Sequence, residues 1–411
     1  MTNRWERRAP SRPVGESGHQ RVETVLGAPE TPFSDFGIRI SVGFRGFGLR
    51  ASGPSRVFVG VCCCVFCGGE GRDSLLRFII MTTPRFTGWT VLLLTTLTLA
   101  CSTAERAPQG AAKVPAVLAG VHRIVFLGDS ITQAGDYVTD FECWLVAHGL
   151  QVEVLNLGLA SETASDLTPE ENASHLKQFG FGRPFVSERL ARVLAATKPD
   201  LLFVCYGMND GGSLPPDESG TKRFAAAITR LRETAMAAGV KRVVLCTPPV
   251  QDAKGNVQQQ FHDENLARYT AWLLSKRADS WDVVDIHTPM RQALDEGRAR
   301  NPTFQFAQDG VHPGREGHWL MARQILTQFL GVKLDGVAAD EDLFPAHGAE
   351  IRKLVHERMG LLFDAWMTQT GHKRPGVAGG PGAKPGLPLA QADAQAIEIA
   401  QKIKSQMAVA P

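Results

Sequence analysis

Residues 124–130 read Ile-Val-Phe-Leu-Gly-Asp-Ser, and this stretch decides the fold. Its apolar start, residues 124–127, favours a strand buried on both faces, as in a parallel sheet covered by helices. Ser130 follows where such a strand turns into a helix. That turn would place its hydroxyl at the carboxyl edge of the sheet, where open α/β folds bind ligands. Taken alone, a serine at this position can also be a simple helix N-cap.

The pattern of residues 124–127 recurs along the chain. Four further strand-like runs alternate with stretches whose apolar residues have helical spacing. The runs are 152–157, 200–206, 243–247 and 283–286, and the helical stretches are 187–197, 220–238, 263–279 and 314–330. Strands that alternate with helices in this way form right-handed βαβ units. We therefore predict a doubly wound, flavodoxin-like sheet of five parallel strands in a three-layer α/β/α sandwich, spanning residues 121–332.

The sequence beyond residue 332 predicts a helical extension. Residues 335–369 are mostly helical in pattern, and an apolar stripe runs through 351–366, which favours packing against the main domain over binding a partner. Residues 371–387 are rich in Gly and Pro and are typical of a linker. Residues 390–407 could form a short amphipathic helix. The predicted segments are thus a helical extension at 333–370 and a linker with a short helix at 371–411.

A second motif, Asp309-Gly-Val-His312, lies after the last predicted strand. A carboxylate three residues before a histidine on a tight loop can accept a hydrogen bond from the Nδ1–H of the ring. The other ring nitrogen is then free to act as a general base toward a serine hydroxyl. An aspartate three residues before a histidine is common, so the motif alone also fits a capping aspartate beside an incidental histidine.

Two more motifs end the second and third predicted strands. They are Asn156-Leu-Gly158 and Gly207-Met-Asn209-Asp210. A tetrahedral intermediate carries negative charge on one oxygen and needs preorganised hydrogen-bond donors. The backbone N–H of Gly158 and the side-chain amide of Asn209 are suitable donors, although such residues at strand ends are usually only turns.

Together, the four motifs resemble the SGNH (GDSL-type) hydrolase family over residues 122–330. The resemblance implies Ser130 as nucleophile, His312 as base and Asp309 as the residue that orients His312. It also implies an oxyanion hole made of the Ser130 N–H, the Gly158 N–H and the Asn209 amide. One departure is Ser161, which stands where the family often has a second glycine, so the local backbone could differ there.

The resemblance implies a serine esterase that needs no cofactor. The segment 159–184, which ends in Phe-Gly-Phe-Gly-Arg-Pro, is a candidate rim of the site. No loop at the predicted site has a long apolar face for gripping lipid chains. We therefore favour short acyl esters, including those of acetylated carbohydrate, as substrates. An acyltransferase, a lysophospholipase or a thioesterase would use the same triad. A noncatalytic surface-binding module is disfavoured because every triad residue is present.

The composition excludes some functions and conceals a division of the chain. A net charge of +2 gives no basic footprint for nucleic acid, and the histidines lack the spacing of a metal site. Residues 1–80 carry a net charge of +4, however, and the remainder carries −2. Residues 1–80 also show no sustained periodicity. They are either a disordered leader or residues upstream of the true start codon at Met81. The sequence does not decide the oligomeric state.

Residues 81–101 have the pattern of a signal peptide. A charged start precedes an apolar run that is too short to span a bilayer, and Ala100 precedes Cys101. Ala100-Cys101 resembles a bacterial lipobox, so Cys101 is a candidate for lipidation. Residues 102–120 would then be a flexible tether. The prediction is an exported protein of the periplasm or cell envelope, with a lipid anchor to the membrane at Cys101 as a candidate feature.

Overall fold

The computed structural model describes residues 114–212, 214–252 and 255–408. The predicted leader (1–80), the predicted signal peptide (81–101) with Cys101, and most of the predicted tether (102–120) lie outside these ranges. Those assignments, and the export that they imply, therefore stay predictions. Within the described ranges, no helix combines the length and the apolar character that crossing a membrane requires.

The centre of the molecule is a parallel sheet, as predicted. Its five strands are β1 (Arg123–Gly128), β2 (Glu153–Asn156), β3 (Leu201–Cys205), β4 (Arg242–Cys246) and β5 (Asp282–Val284). They pair in the order β2-β1-β3-β4-β5, the flavodoxin-like order, in which the strand order reverses beside β1. The strands are buried because helices cover both faces of the sheet, which explains their continuous apolar runs.

Ten α-helices surround or extend this sheet in the described ranges. They are α1 (Ser130–Ala134), α2 (Asp136–Ala147), α3 (Pro169–Phe179), α4 (Leu190–Thr197), α5 (Glu218–Ala237), α6 (Val257–Ser275), α7 (His287–Arg300), α8 (Arg315–Gln324), α9 (Gly348–Thr370) and α10 (Leu389–Ala408). Helix α6 begins before the predicted residue 263, because Asn256 and Gln259 form a capping box at its N-terminus. Helices α2, α3 and α7 were not predicted from the sequence.

The helices form two layers with separate cores. Apolar side chains of α2, α7 and α8 pack on one face of the sheet, around Phe126 of β1 and Phe203 of β3, whose rings stack at 4.6 Å. Side chains of α4, α5 and α6 pack on the other face. The three-layer α/β/α sandwich is therefore confirmed, and each layer buries one side of the same strands.

Helix α9 of the C-terminal extension covers an edge of the sheet. It packs against the edge strand β2 and contacts α2 in one layer and α4 in the other. Its apolar stripe is buried as it passes from one core to the next, with Met359 in the first and Trp366 in the second. Helix α10 packs along α9 through Ala392, Ala396, Ile399 and Ile403. An unpaired sheet edge exposes backbone donors and acceptors, and α9 shields the edge at β2.

Candidate active site

Ser130 is the first residue of α1, directly after the turn from β1. The helix N-cap is Asp129, whose buried carboxylate accepts a hydrogen bond from the Ile131 N–H at 3.0 Å. The N-cap interpretation of Ser130 is therefore wrong, because the preceding residue fills that position. The Ser130 side chain is left partly exposed and free to bond elsewhere.

The Ser130 hydroxyl lies within hydrogen-bond distance of His312. Ser130 Oγ lies 2.8 Å from His312 Nε2, and His312 Nδ1 lies 2.6 Å from Asp309 Oδ2. The second oxygen, Asp309 Oδ1, accepts hydrogen bonds from the N–H groups of Val311 at 2.9 Å and His312 at 2.8 Å. Partial burial alone would raise the pKa of Asp309. The hydrogen bonds from the ring and backbone of His312 and from Val311 outweigh burial, and the pKa is lowered.

Asp252, which was given no individual role from the sequence, holds the loop of Asp309 and His312 in place. The buried Asp252, which follows β4, accepts hydrogen bonds through Oδ2 from the N–H groups of Phe306 and Ala307. Its Oδ1 is paired with Arg298 at 2.6 Å. Asp252 thereby anchors the segment that leads into Asp309 and His312. Nothing in its local sequence distinguishes it from an ordinary loop aspartate.

Asn209 leaves the sheet beside Ser130. Strands β1 and β3 are neighbours with Gly128 opposite Cys205, so the residues that follow each strand emerge side by side. Asn209 Nδ2 donates to the Glu162 carbonyl at 3.1 Å, and Asn209 Oδ1 accepts from Arg183 at 2.7 Å. An amide nitrogen carries two hydrogens, so Asn209 keeps one that can donate to a ligand.

The structure places Gly158 differently from the prediction. Its N–H is buried and donates to Asn156 Oδ1 at 3.0 Å, so it is not a free donor for an oxyanion. A Cβ built on Gly158 would clash with the Gln133 nitrogen and lie 2.7 Å from the Thr132 carbonyl carbon. Glycine at this position lets the end of β2 approach the backbone of α1. Asn156 Nδ2 adds a hydrogen bond to the Thr132 carbonyl at 2.7 Å.

Ser161, the residue that departs from the family pattern, contacts Arg183, as Asn209 does. Its φ is +69°, in the left-handed region that favours glycine. Its carbonyl accepts from Arg183 at 3.4 Å, and its hydroxyl lies 3.1 Å from His175 Nε2. Its N–H has no acceptor within the described residues. The chain thus reaches the glycine-like conformation with a serine whose side chain and carbonyl are both bonded.

Buried carboxyl groups surround the site. Burial raises the pKa of Asp129 to about 7, against the opposing effects of the Ile131 N–H and the nearby His312. Burial also raises the pKa of Asp210 to about 6, although its Oδ1 accepts from the Ser165 N–H and hydroxyl. Among the described residues, no group of three or more His, Cys, Asp or Glu side chains is placed to hold a metal ion.

Comparison with known proteins identifies residues 126–320 as matching the GDSL-like Lipase/Acylhydrolase family. Solved structures that match part of the chain include BT4096, a gut microbial diltiazem-metabolizing enzyme, with 22% identity and a TM-score of 0.40. The match covers 50% of this chain and 46% of BT4096, less than half of that relative.

They also include Axe2, an acetylxylan esterase from Geobacillus stearothermophilus, with 21% identity and a TM-score of 0.37, over 52% of this chain and 95% of Axe2. A catalytic mutant of Axe2 gives 22% identity and a TM-score of 0.39 over the same shares. No curated protein sequence matches the chain.

Proposed function

We propose that the chain is a carboxylic ester hydrolase, because residues 126–320 match the GDSL-like lipase/acylhydrolase family, and that Ser130 is its nucleophile. The observation that carries this proposal is the line of hydrogen bonds from Ser130 Oγ through His312 to Asp309, at 2.8 Å and 2.6 Å. A serine, a base within hydrogen-bond reach and a third group that orients the base form an activated nucleophile.

In the proposed reaction, His312 Nε2 takes the proton of Ser130 as Oγ attacks the ester carbonyl. Collapse of the tetrahedral intermediate releases the alcohol, which receives that proton from His312. Water activated by His312 then hydrolyses the acyl-enzyme. The lowered pKa of Asp309 supports its role, because an ionised carboxylate stabilises the imidazolium that forms in each step.

For the oxyanion hole we propose the Ser130 N–H, the Asn209 amide and the Ser161 N–H. The first N–H groups of a helix have no partner within the helix, which leaves the Ser130 N–H available. The Ser161 N–H replaces the Gly158 N–H in this proposal, since Gly158 already donates to Asn156. The contacts of Arg183 with both Ser161 and Asn209 support a common position for these two donors.

For the substrate we propose esters of short acyl groups, with acetylated carbohydrate as the class to test. The support is the openness of the site, since the side chains of His312 and Asp309 are 48% and 56% exposed. An exposed triad admits a bulky, polar alcohol portion. A drug-sized apolar ligand, in contrast, usually lies in a pocket that buries most of its surface.

The test compares the protein with Ser130→Ala. We expect the variant to lose at least about 10⁴-fold in kcat on 4-nitrophenyl acetate, because the acyl-enzyme cannot form. Ser405→Ala is the matched control. Its exposed hydroxyl donates to the Gln401 carbonyl on α10, and the activity of the variant should be unchanged. Activity retained by Ser130→Ala, at an unchanged unfolding midpoint, would refute the nucleophile.

A substrate panel tests the acyl and alcohol preferences. Acetyl, butyryl and long-chain 4-nitrophenyl esters are compared with acetylated oligosaccharides, and acetate release is measured with and without an added sugar acceptor. We expect the highest kcat/KM for acetyl esters, and hydrolysis rather than transfer. A preference for long chains would instead favour a lysophospholipase, and acetyl transfer to the sugar would favour an acyltransferase.

A further inference from the structure

Arg183 lies outside the triad, in the segment between α3 and α4, and reaches two of the proposed oxyanion residues. Its Nη1 donates to Asn209 Oδ1 at 2.7 Å and lies 3.4 Å from the Ser161 carbonyl oxygen. Its backbone N–H donates to Asn172 Oδ1 at 3.0 Å, which ties the segment to α3. The side chain is half-buried, so its position depends on these contacts.

The contact with Arg183 determines which way the Asn209 amide faces. A guanidinium has five N–H donors and no acceptor, so only the amide oxygen can face it. Asn209 Oδ1 therefore lies against Arg183, and Nδ2 must lie on the opposite side. Because lysine is a point charge on a flexible stem, it would not impose the same planar geometry.

The other end of the amide is also held. Asn209 Nδ2 donates one hydrogen to the Glu162 carbonyl at 3.1 Å. Glu162 cannot move readily, because its buried carboxylate is paired with Arg189 at 2.6 Å and accepts a hydrogen bond from Tyr206. With both ends fixed, the second hydrogen of Nδ2 has a single direction in which to point.

The charge of Arg183 also acts on the Asn209 amide. A hydrogen bond from a cation to an amide oxygen is stronger than one between neutral groups and polarises the amide. The N–H groups of a polarised amide are better donors to a developing negative charge. The buried carboxyl groups of Asp129 and Asp210 lie near enough to Arg183 to interact with its charge.

We propose that Arg183 is a positioning residue that aims and polarises the Asn209 amide toward the oxyanion. This inference rests on the proposed function of Ser130. Arg183 acts through Asn209 and does not touch the substrate, so its effect appears in the transition state and not in the binding of the ester.

The experiment is a double-mutant cycle with Arg183→Met and Asn209→Ala, measured as kcat and KM on 4-nitrophenyl acetate. Loss of an oxyanion donor costs about 10²- to 10³-fold in kcat. For Arg183→Met we therefore expect about a 10- to 100-fold loss in kcat, because the donor stays but is no longer aimed. KM should change by less than about twofold. In the Asn209→Ala background, Arg183→Met should change kcat by less than about twofold, because the residue it acts through is gone.

Two further variants separate positioning from structural damage. Arg192→Met removes an arginine of the adjacent α4 that donates to the carbonyls of Thr370, Glu188 and Gly371, and its kcat should stay within about twofold of the unmodified protein. Arg183→Lys keeps the charge without the planar donor set. It should give a kcat between those of the unmodified protein and Arg183→Met, and it serves as the test should Arg183→Met not fold.

Three results would overturn the proposal. They are an unchanged kcat in Arg183→Met, the same loss of kcat with and without Asn209, or a raised KM at constant kcat, which would indicate direct contact with the substrate. The Ser130→Ala variant in the same assay keeps the two proposals apart. If Ser130→Ala is inactive and Arg183→Met is unchanged, only the role of Arg183 fails. If Ser130→Ala is active, the proposed function itself fails.

Discussion

At the scale of single residues, Asp309 does two things with its two oxygens. Oδ1 accepts the N–H groups of Val311 and His312 and so shapes the loop, while Oδ2 accepts from the His312 ring. The ring therefore carries its proton on Nδ1, and Nε2 is left as the acceptor toward Ser130. One side chain thus fixes both the position and the tautomer of the proposed base.

The change Asp309→Asn separates these two contributions. The amide oxygen can still accept from the backbone, but the amide NH₂ then faces His312 Nδ1 and favours the tautomer that is protonated on Nε2. We expect kcat to fall roughly 10³- to 10⁴-fold with the fold intact. Steady-state kinetics and the unfolding midpoint measure the two effects. The exposed Asp335→Asn is the control, and a loss below tenfold in Asp309→Asn would argue against the triad.

The acid dependence of Asp309 has a definite sign. Its pKa is lowered in the folded protein, so its contribution to stability is present above the pKa of the unfolded chain. That contribution is lost only as the pH falls through the lower, folded value. Neutral and mildly acidic conditions therefore leave the carboxylate ionised and able to orient His312.

At the scale of elements, the packing contact between the end of β2 and α1 determines the position of Ser130. Gly158 packs against the backbone of Thr132 and Gln133, and Asn156 bonds to the Thr132 carbonyl. The Gln133 side chain in turn accepts from the Ala160 N–H at 2.7 Å. The Asn156-Leu-Gly158 motif was predicted to contribute to the oxyanion hole. In the structure it packs the end of β2 against α1, the helix that carries the proposed nucleophile.

We expect Gly158→Ala to destabilise the protein and to lower its activity. The new Cβ would press on the backbone of α1, where no flexible side chain can give way, and overpacking of this kind costs about 1–3 kcal/mol in the free energy of unfolding. Urea unfolding and kcat report the two effects. Gly360→Ala, in open space within α9, is the matched control and should stabilise by about 0.5–1 kcal/mol. Unchanged stability and kcat in Gly158→Ala would contradict the proposed role of Gly158 in packing β2 against α1.

At the scale of the whole molecule, α9 ties the extension to the sandwich through buried charges. Arg352 pairs with Asp136 at 2.6 Å, Asp140 at 3.0 Å and Asp340 at 2.8 Å. Asp140 and Asp340 are almost fully buried, and burial raises the pKa of both. Arg315 of α8 pairs with Asp340 as well. Arg352 and Arg315 thus connect α2, α8, α9 and the turn at Asp340.

Arg352→Met should weaken this connection. Removing one partner of a buried ion pair leaves uncompensated charge, which costs about 3–5 kcal/mol, reduced here to the extent that the carboxyl groups take up protons. We expect the unfolding midpoint to fall, and less at low pH than at high pH. Lys353→Met is the control, because Lys353 is 72% exposed on the same helix and should shift the free energy of unfolding by less than about 0.5 kcal/mol. Equal midpoints for the two variants would show that the connection is dispensable.

The sequence predicted much of the architecture because burial produces a recognisable local pattern of apolar residues. Strands covered on both faces must be apolar throughout, so all five were recognisable, and their alternation with helices implied the parallel order. The sequence of helix α3 shows no such apolar pattern. Of its residues only His175 is buried, so its sequence shows no apolar face. Helix α2 was not predicted for the opposite reason. Helices α8 and α9 cover it, and most of its residues are buried.

The sequence by itself determined the sheet and the meeting of Ser130, His312 and Asp309, because the carboxyl ends of parallel strands gather at one edge. The tertiary structure alone decided which donors at that edge are free. Gly158 and Asn209 are alike in sequence as strand-end donors. The Gly158 N–H already donates to Asn156, whereas the Asn209 amide is oriented by Arg183 and Glu162. Arg183 and Glu162 are distant from Asn209 in the chain. Asn156 is only two residues from Gly158, but its amide is oriented by the Thr132 carbonyl of α1, so the local sequence does not show which donor stays free.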